Sequence, residues 1–509
     1  MENRYITTSI AYINAKPHVG FALELVQADV LARWYRFQGH PTWFLTGTDE
    51  HGSKIAQLAE KEGVSPADIA DRNSALFANL KNVLNISNDD FIRTSDKSRH
   101  WVGAQALWQK LTAAGDIYKD KYIGLYCVGC EAFITEKDLT DDKCPYHQTE
   151  PERIEEENYF FRLSKYAHQI TQAIESKKLE IIPEGRAKEI LNVIKSGLTD
   201  ISFSRPKAKL PWGVPVPDDS EQTMYVWCDA LSNYISAIGY GRDTINFEKW
   251  WPADMHCIGK DILRFHAAIW PGMLLSAGLP LPKKILVHGF LTSGGQKMSK
   301  SLGNVIDPVE VVQTYGTDAL RYYLLREIPT IDDGDFSWKR FMELYNHELA
   351  DNLGNLLSRV IQMTSKFFAG QVPELSSATP LVMPTAVRDA IDGVQKNLGQ
   401  DKIDFAKAMD AINHYVAFLN GLVEEKKPWE LAKTNQIAEL ANVIYELLEG
   451  LRVTSVLLLP FLPETAAKIY TALGLGNISD ISDWASEAIW GKLSSKTIIQ
   501  PTSILFPKQ

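Results

Sequence analysis

Residues 4–39 read RYITTSIAYINAKPHVGFALELVQADVLARWYRFQG. The opening RYITTSI predicts a strand, and after a turn Pro17 opens a helix whose apolar face is Val19, Leu23, Val26, Val30 and Trp34, ending near Gly39. A second strand, TWFLTG, follows and delivers Asp49, Glu50 and His51 at its carboxyl end. Much later, DMHCIGKDI and KILVHGFL again read as buried strands that end in polar residues. Strands alternating with helices in this way predict an α/β fold, a doubly wound parallel sheet with crossover helices. In such sheets ligands sit outside the carboxyl ends of the strands.

Between the two strand-bearing halves, residues 119–223 have a different texture, with clustered charges, three of the cysteines and RPKAKLPWGVPVPDD. They predict an insertion. From about residue 340 the pattern is almost wholly helical, broken by AGQVPELSSATPLVMP, which reads as a loop. There is no internal repeat. At 509 residues and 45% apolar content the chain is globular and too long for one core. A net charge of −10 excludes a protein coated in basic surface, so any contact with nucleic acid must be focal. The first twenty residues have neither a basic segment before an apolar run nor an Arg-rich amphipathic character, which argues against a signal or transit peptide. The apolar stretches AAIWPGMLLSAGLP and SVLLLPFLP are broken by proline and fall short of a membrane span. A soluble cytoplasmic protein is expected.

Five cysteines in so long a chain are no disulfide framework. Cys127 and Cys130 form CVGC, and Cys144 and His147 form CPYH. A CxxC…CxxH set suits a closed tetrahedral Zn²⁺ site, with knuckle turns supplied by Gly129 and Pro145. Four protein ligands leave no position for a substrate, so one structural zinc per chain is expected. Cys228 and Cys257 lie in apolar context and read as core thiols.

Two cationic elements remain. KPHVG, residues 16–20, sits where the first strand turns into the first helix, a place where backbone N–H groups and the helix dipole favour an anion. There His18 offers a donor and Gly20 permits close approach. KMSKS, residues 297–301, follows Gly294 and Gly295 in the second half of the sheet. Separately each has a bland reading, a capping histidine and a charged surface loop. Together, at strand ends of opposite halves, they can grip the two ends of a triphosphate, with Lys297 and Lys300 meeting the charge that develops on departing pyrophosphate.

These residues resemble the signatures of the class I aminoacyl-tRNA synthetases, His-Ile-Gly-His and KMSKS. HVGF, residues 18–21, matches the first except that Phe21 replaces its second histidine, and residues 297–301 match the second letter for letter. Within the class the chain resembles methionyl enzymes in their short bacterial form over essentially its whole length. FLTGTDEHG, NYFFRLSKY, YVWCDALSNY, IGKDILRFHAAIWP and DALRYYLLREIP carry that likeness. The resemblance implies a split Rossmann catalytic domain with a zinc-bearing insertion, followed by an all-α helical bundle. The implied boundaries are 1–118 and 224–292 for the catalytic halves, 119–223 for the insertion with its zinc knuckle at 127–147, 293–345 for the KMSKS loop and stem-contact region, and 346–509 for an anticodon-binding domain.

The implied reaction is attack of the methionine carboxylate on the α-phosphorus of ATP, then transfer of the methionyl group from the adenylate to the 3′-terminal ribose of tRNA(Met). Mg²⁺ should accompany ATP, although no residue identifies itself as its ligand. His18, Lys297 and Lys300 are the implied catalytic residues, and Gly20, Phe21, Asp261 and Ser299 join them in ATP binding. Asp49 is the expected partner of the substrate ammonium. Ile10, Tyr12, Trp227, Ala230, Tyr234, Ile262 and His266 are the expected pocket for a thioether, which favours apolar, polarizable walls. In ELADNLGNLLSRVIQM, Leu349, Leu353, Leu356 and Val360 make a buried stripe, while Asn355 and Arg359, four apart, share another face. With Trp429 of EEKKPWELAK, a candidate for stacking on an unstacked base, they match the anticodon-reading positions of methionyl enzymes. A class I synthetase for another amino acid, a nucleotidyltransferase of related fold and a non-catalytic zinc-bearing RNA-binding protein are the competing readings. No DNA or membrane partner is expected. The chain ends without the domain through which longer relatives dimerise, so a monomer is expected.

Overall fold

The computed structural model describes residues 2–128, 132–134, 136, 139–145, 148–298, 303–375, 383–399, 402–481 and 483–509. Cys130, His147, Ser299 and Lys300 lie outside the described residues. Strand β1 spans Arg4–Tyr12, β2 Thr42–Asp49 and β3 Asp90–Arg93. They form one side of a six-stranded parallel sheet, ordered β3, β2, β1, Met255–Gly259, Lys284–His288, Glu180–Ile182. Chain order therefore reverses between β1 and Met255–Gly259. That switch point opens a crevice at the carboxyl ends of the strands, because the following connections leave toward opposite faces of the sheet.

The outer strand Glu180–Ile182 comes from inside residues 119–223. A three-residue strand is too short to show a period, which is why the sequence gives no sign of it. The remainder of that segment includes a four-stranded antiparallel sheet in which Ile117–Cys127 pairs with Glu152–Phe161 along its length.

Helix α1, Val19–Phe37, places all five expected apolar residues in the core. Each large side chain buried there contributes about 1.5–3 kcal/mol. The helix is not amphipathic, however: Leu25, Ala28, Leu31 and Ala32 on its other faces are also buried. The sheet covers one side, and the C-terminal region covers the other, with Trp34 packed edge-on to Trp484 at 4.7 Å. At the centre of the C-terminal helices, Ile437–Leu458 is buried from Leu440 to its end. Leu349, Leu353, Leu356 and Val360 are buried as expected, but the first two lie on a wider π-helical stretch, Tyr345–Gly354, that precedes the α-helix Asn355–Phe368. Among the described residues no helix is long and apolar enough to cross a membrane.

Candidate active site

A cavity of about 440 Å³ occupies the switch-point crevice. His18 caps α1 there, its Nδ1 accepting the Gly20 N–H at 3.0 Å. A Cβ at residue 20 would lie 2.7 Å from the His18 ring, so only glycine lets the imidazole fold back over the helix start. Because Nδ1 accepts, the proton of the neutral ring resides on Nε2, free to point at an anion. Burial and then the charge of Lys297 hold the His18 pKa below the ordinary histidine value.

Lys297 reaches the cavity from the second half of the chain. Leu291–Ser293 and Gln296–Lys297 form a hairpin whose two turn residues, Gly294 and Gly295, have φ of 65° and 72°. That is the left-handed pair a two-residue hairpin turn requires, so the glycines shape the turn itself. Asp335, on the neighbouring strand Gly334–Phe336, accepts the Gly295 N–H at 2.8 Å and the Thr292 hydroxyl at 2.7 Å. The Lys297 ammonium lies 5.4 Å from the centre of the Phe290 ring, and Lys260 lies 4.4 Å from it.

Of the three polar residues delivered by β2, only Asp49 lines the cavity. It is buried and stands beside Tyr12 in the sheet register. Glu50 turns away to the Arg93 guanidinium, at 2.7 and 3.0 Å. His51 turns to Asp229, which sits between His51 Nδ1 and His100 Nε2, each at 2.6 Å. Burial would raise the Asp229 pKa, but the charges and hydrogen bonds of the two histidines outweigh it and hold it down to about 2. This carboxylate anchors the short helix Val226–Leu231, which presents Trp227 and Ala230 to the cavity.

The rest of the wall is apolar and aromatic. Ile10, Tyr12, Tyr234, Ile262 and His266 all line it, as do Gly20, Phe21 and Asp261. Tyr234 donates its hydroxyl to His266 Nε2 at 2.7 Å, and His266 Nδ1–H donates to the Ile262 carbonyl at 3.0 Å. Burial pushes the His266 pKa down to about 4 against the opposing effects of that carbonyl and Glu24, so the ring is neutral near pH 7. The sequence reading missed Phe265, which stacks on Trp227 at 3.5 Å and 11°. It also missed the lining residues Glu24, Phe77, His288 and Phe290. Phe265 directly precedes His266 in a stretch where helical spacing reads as core.

The remaining expected residues lie elsewhere. Cys127 closes the strand Ile117–Cys127, and both it and Cys144 are buried. Asn355 is exposed. Arg359 sits 5.8 Å from the centre of the Trp429 ring and pairs with Glu424 at 2.8 Å.

Residues 4–154 and 136–361 match the family described as tRNA synthetases class I (M). A methionine–tRNA ligase of Caldanaerobacter subterraneus subsp. tengcongensis is 43% identical over 99% of this chain and 78% of its own length. One from Brucella suis biovar 1 is 45% identical over 93% of this chain and 92% of its own. The solved structure of Mycobacterium tuberculosis methionyl-tRNA synthetase in complex with methionyl-adenylate superposes with a TM-score of 0.93 at 39% identity, covering both chains completely. With a family match over most of its length and relatives this close, the chain belongs to the class I tRNA synthetases, in their methionine–tRNA ligase branch.

Proposed function

We infer that the chain activates L-methionine with ATP to methionyl-adenylate and pyrophosphate, then transfers methionine to the 3′-terminal ribose of tRNA(Met). The observation that carries this reading is one cavity that joins the His18 helix cap, Lys297, Asp49 and an apolar, aromatic wall across the switch point. No covalent enzyme intermediate is needed, so positioning and electrostatics account for the catalysis. Asp49 takes the substrate ammonium and so aims its carboxylate toward ATP. The Nε2–H of His18 donates to a phosphate oxygen at the helix start. Lys297, with Lys300, meets the negative charge that accumulates on the leaving pyrophosphate. Gly20 and Phe21 lie against the nucleotide, and Asp261 takes its ribose, with Ser299 as a further phosphate contact. Mg²⁺ enters with ATP. Around the thioether, Trp227 stacked on Phe265, Ile10, Tyr12, Ala230, Ile262 and the Tyr234–His266 pair supply the walls.

Zinc fits the donor set of the insertion. Cys127 and Cys144 are buried thiols, and the Cys144 carbonyl accepts the Gln148 N–H at 2.8 Å while its own N–H donates to the Thr149 carbonyl at 2.9 Å. With Cys130 and His147 these residues would hold the ion, which ties the insertion together and takes no part in the chemistry. Asn355, Arg359 and Trp429 read the anticodon.

ATP–pyrophosphate exchange tested with each of the twenty amino acids separates this reading from its competitors. Methionine should support exchange far above the others, followed by charging of tRNA(Met). Exchange with another amino acid, or none, overturns it.

A further inference from the structure

Glu24 and His288 lie on the cavity wall between the expected methionine and ATP sides, and the activation mechanism assigns neither of them a role. Glu24 points from the second turn of α1, and one of its oxygens accepts both the N–H and the hydroxyl of Ser9, at 2.7 and 2.6 Å. Ser9 falls where the register of β1 against β2 breaks, between Thr7 and Ile10. Its N–H therefore lies in an interrupted ladder and takes its partner from Glu24. Ile10 and Tyr12 follow at once. The other Glu24 oxygen stands 2.9 Å from His288 Nε2. His288 ends the strand Lys284–His288, and Gly289 and Phe290 lead from it into the hairpin that carries Lys297.

His288 Nδ1 stands 2.8 Å from the Gly289 carbonyl. Both ring nitrogens thus face acceptors, and a ring with both nitrogens donating is an imidazolium. Glu24 in turn faces three donors, the Ser9 N–H, the Ser9 hydroxyl and His288 Nε2. We propose that Glu24 and His288 form a carboxylate–imidazolium strut across the switch point, positioning Ser9–Tyr12 of the amino-acid wall against the hairpin that bears Lys297.

The titratable groups around this pair favour its charged state near neutral pH. Burial would lower the His288 pKa, but the hydrogen bond and charge of Glu24, the Gly289 carbonyl and Asp261 outweigh it and set it above the ordinary value. The other groups near Glu24 are neutral there: burial first, and Glu24 second, raise the Tyr234 and Cys257 pKa values well above normal, while burial holds His266 down to about 4. When His288 loses its proton, one ring nitrogen turns a lone pair on an acceptor. The strut then becomes repulsive, and either the Ser9 turn or the root of the hairpin must shift. Because the pair sets the spacing of groups on two sides of the cavity, its loss falls on the transition state more than on ground-state binding.

The test uses the full chain labelled with ¹⁵N at its 11 histidines. Near neutral pH the ring assigned to His288 should have both nitrogens protonated, should disappear in His288→Gln and should turn neutral in Glu24→Gln. The kinetic arm rests on the methionine-activation reading. In methionine-dependent pyrophosphate exchange, either single variant should lose about tenfold in kcat with KM for ATP and for methionine changed less than about threefold. In Glu24→Gln the fall in rate on raising pH should begin at lower pH. A neutral His288 in the unmodified protein, a kcat within about twofold of it in both folded variants, or a loss expressed wholly in KM overturns the strut. If the variants do not fold, the spectrum of the unmodified protein decides alone. Absence of exchange in the unmodified protein would sink the activation reading and leave the spectral test of the strut intact.

Discussion

Phe21 stands where the class I signature has its second histidine, and it packs edge-on against Phe77 with ring centres 5.4 Å apart. A phenyl ring has no donor for a phosphate, so the anion recognition proposed for this helix start falls to His18 and the backbone N–H groups. Phe21→His restores the usual signature. It should keep methionine activation while losing the aromatic edge contact, about 0.5–1.5 kcal/mol, read as a lower Tm. A folded Phe21→His protein without exchange activity would contradict this. His266 gives a second residue-scale expectation. Its folded pKa of about 4 lies below the unfolded value of about 6.5, so the unfolded chain binds the extra proton between those limits. The stability it contributes is therefore fully present above about pH 6.5 and is lost progressively as pH falls through 4, by on the order of 3 kcal/mol. Tm measured against pH should decline over that window, and His266→Phe, though less stable at pH 7 because Tyr234 loses its acceptor, should show a flatter decline.

The hairpin Leu291–Lys297 depends on a neighbour as well as on its own turn. Asp335 satisfies both the Gly295 N–H and the Thr292 hydroxyl, which fixes the turn against the strand Gly334–Phe336. Asp335→Ala should free the turn and lower kcat for exchange by about three- to tenfold with the fold intact, because the role proposed for Lys297 is to meet charge that develops in the transition state; an unchanged kcat would assign Asp335 to stability only. In the insertion, metal analysis after extensive dialysis should find about one zinc per chain, and a metal-free, fully folded protein would remove that assignment. At this scale the sequence was legible where a residue has few alternative uses. Asp49, Asp261 and His18 sit at strand or helix ends, and charged or capping groups there read directly as site candidates. Glu24 and His288 did not read so, because an acid among the apolar residues of a helix gives no signal of a site, and the histidine at its strand end has no role to read until the partner 264 residues away is known. The apolar face assigned to α1 is buried as expected, and its other buried faces went unread for a related reason. Periodicity registers the sheet on one side and is blind to a second layer packed on the other.

Across the whole molecule the two halves of the function are joined by a buried core and separated in their chemistry. Arg321, fully buried on the helix Thr317–Arg326, pairs with Asp29 of α1 at 2.8 Å and donates to the Phe461, Pro460 and Leu84 carbonyls at 2.7, 3.2 and 3.0 Å. One guanidinium thus binds the catalytic helix to the C-terminal bundle. Yet no residue that lines the cavity comes from beyond Met298 among the described residues. Trp429 follows Pro428 at the start of the helix Pro428–Lys433, half-buried, with the Arg359 guanidinium beside its ring. It can therefore be removed without touching the cavity wall. Stacking of a base on an aromatic side chain contributes about 1–3 kcal/mol, so Trp429→Ala should lower kcat/KM for charging of tRNA(Met) by about 5–150-fold. Pyrophosphate exchange should stay within about twofold of the unmodified enzyme, because activation needs only the cavity. Equal loss of both activities would place Trp429 among the residues that hold the bundle to the catalytic core, and the anticodon reading proposed for Arg359 and Asn355 would then lack its stacking platform.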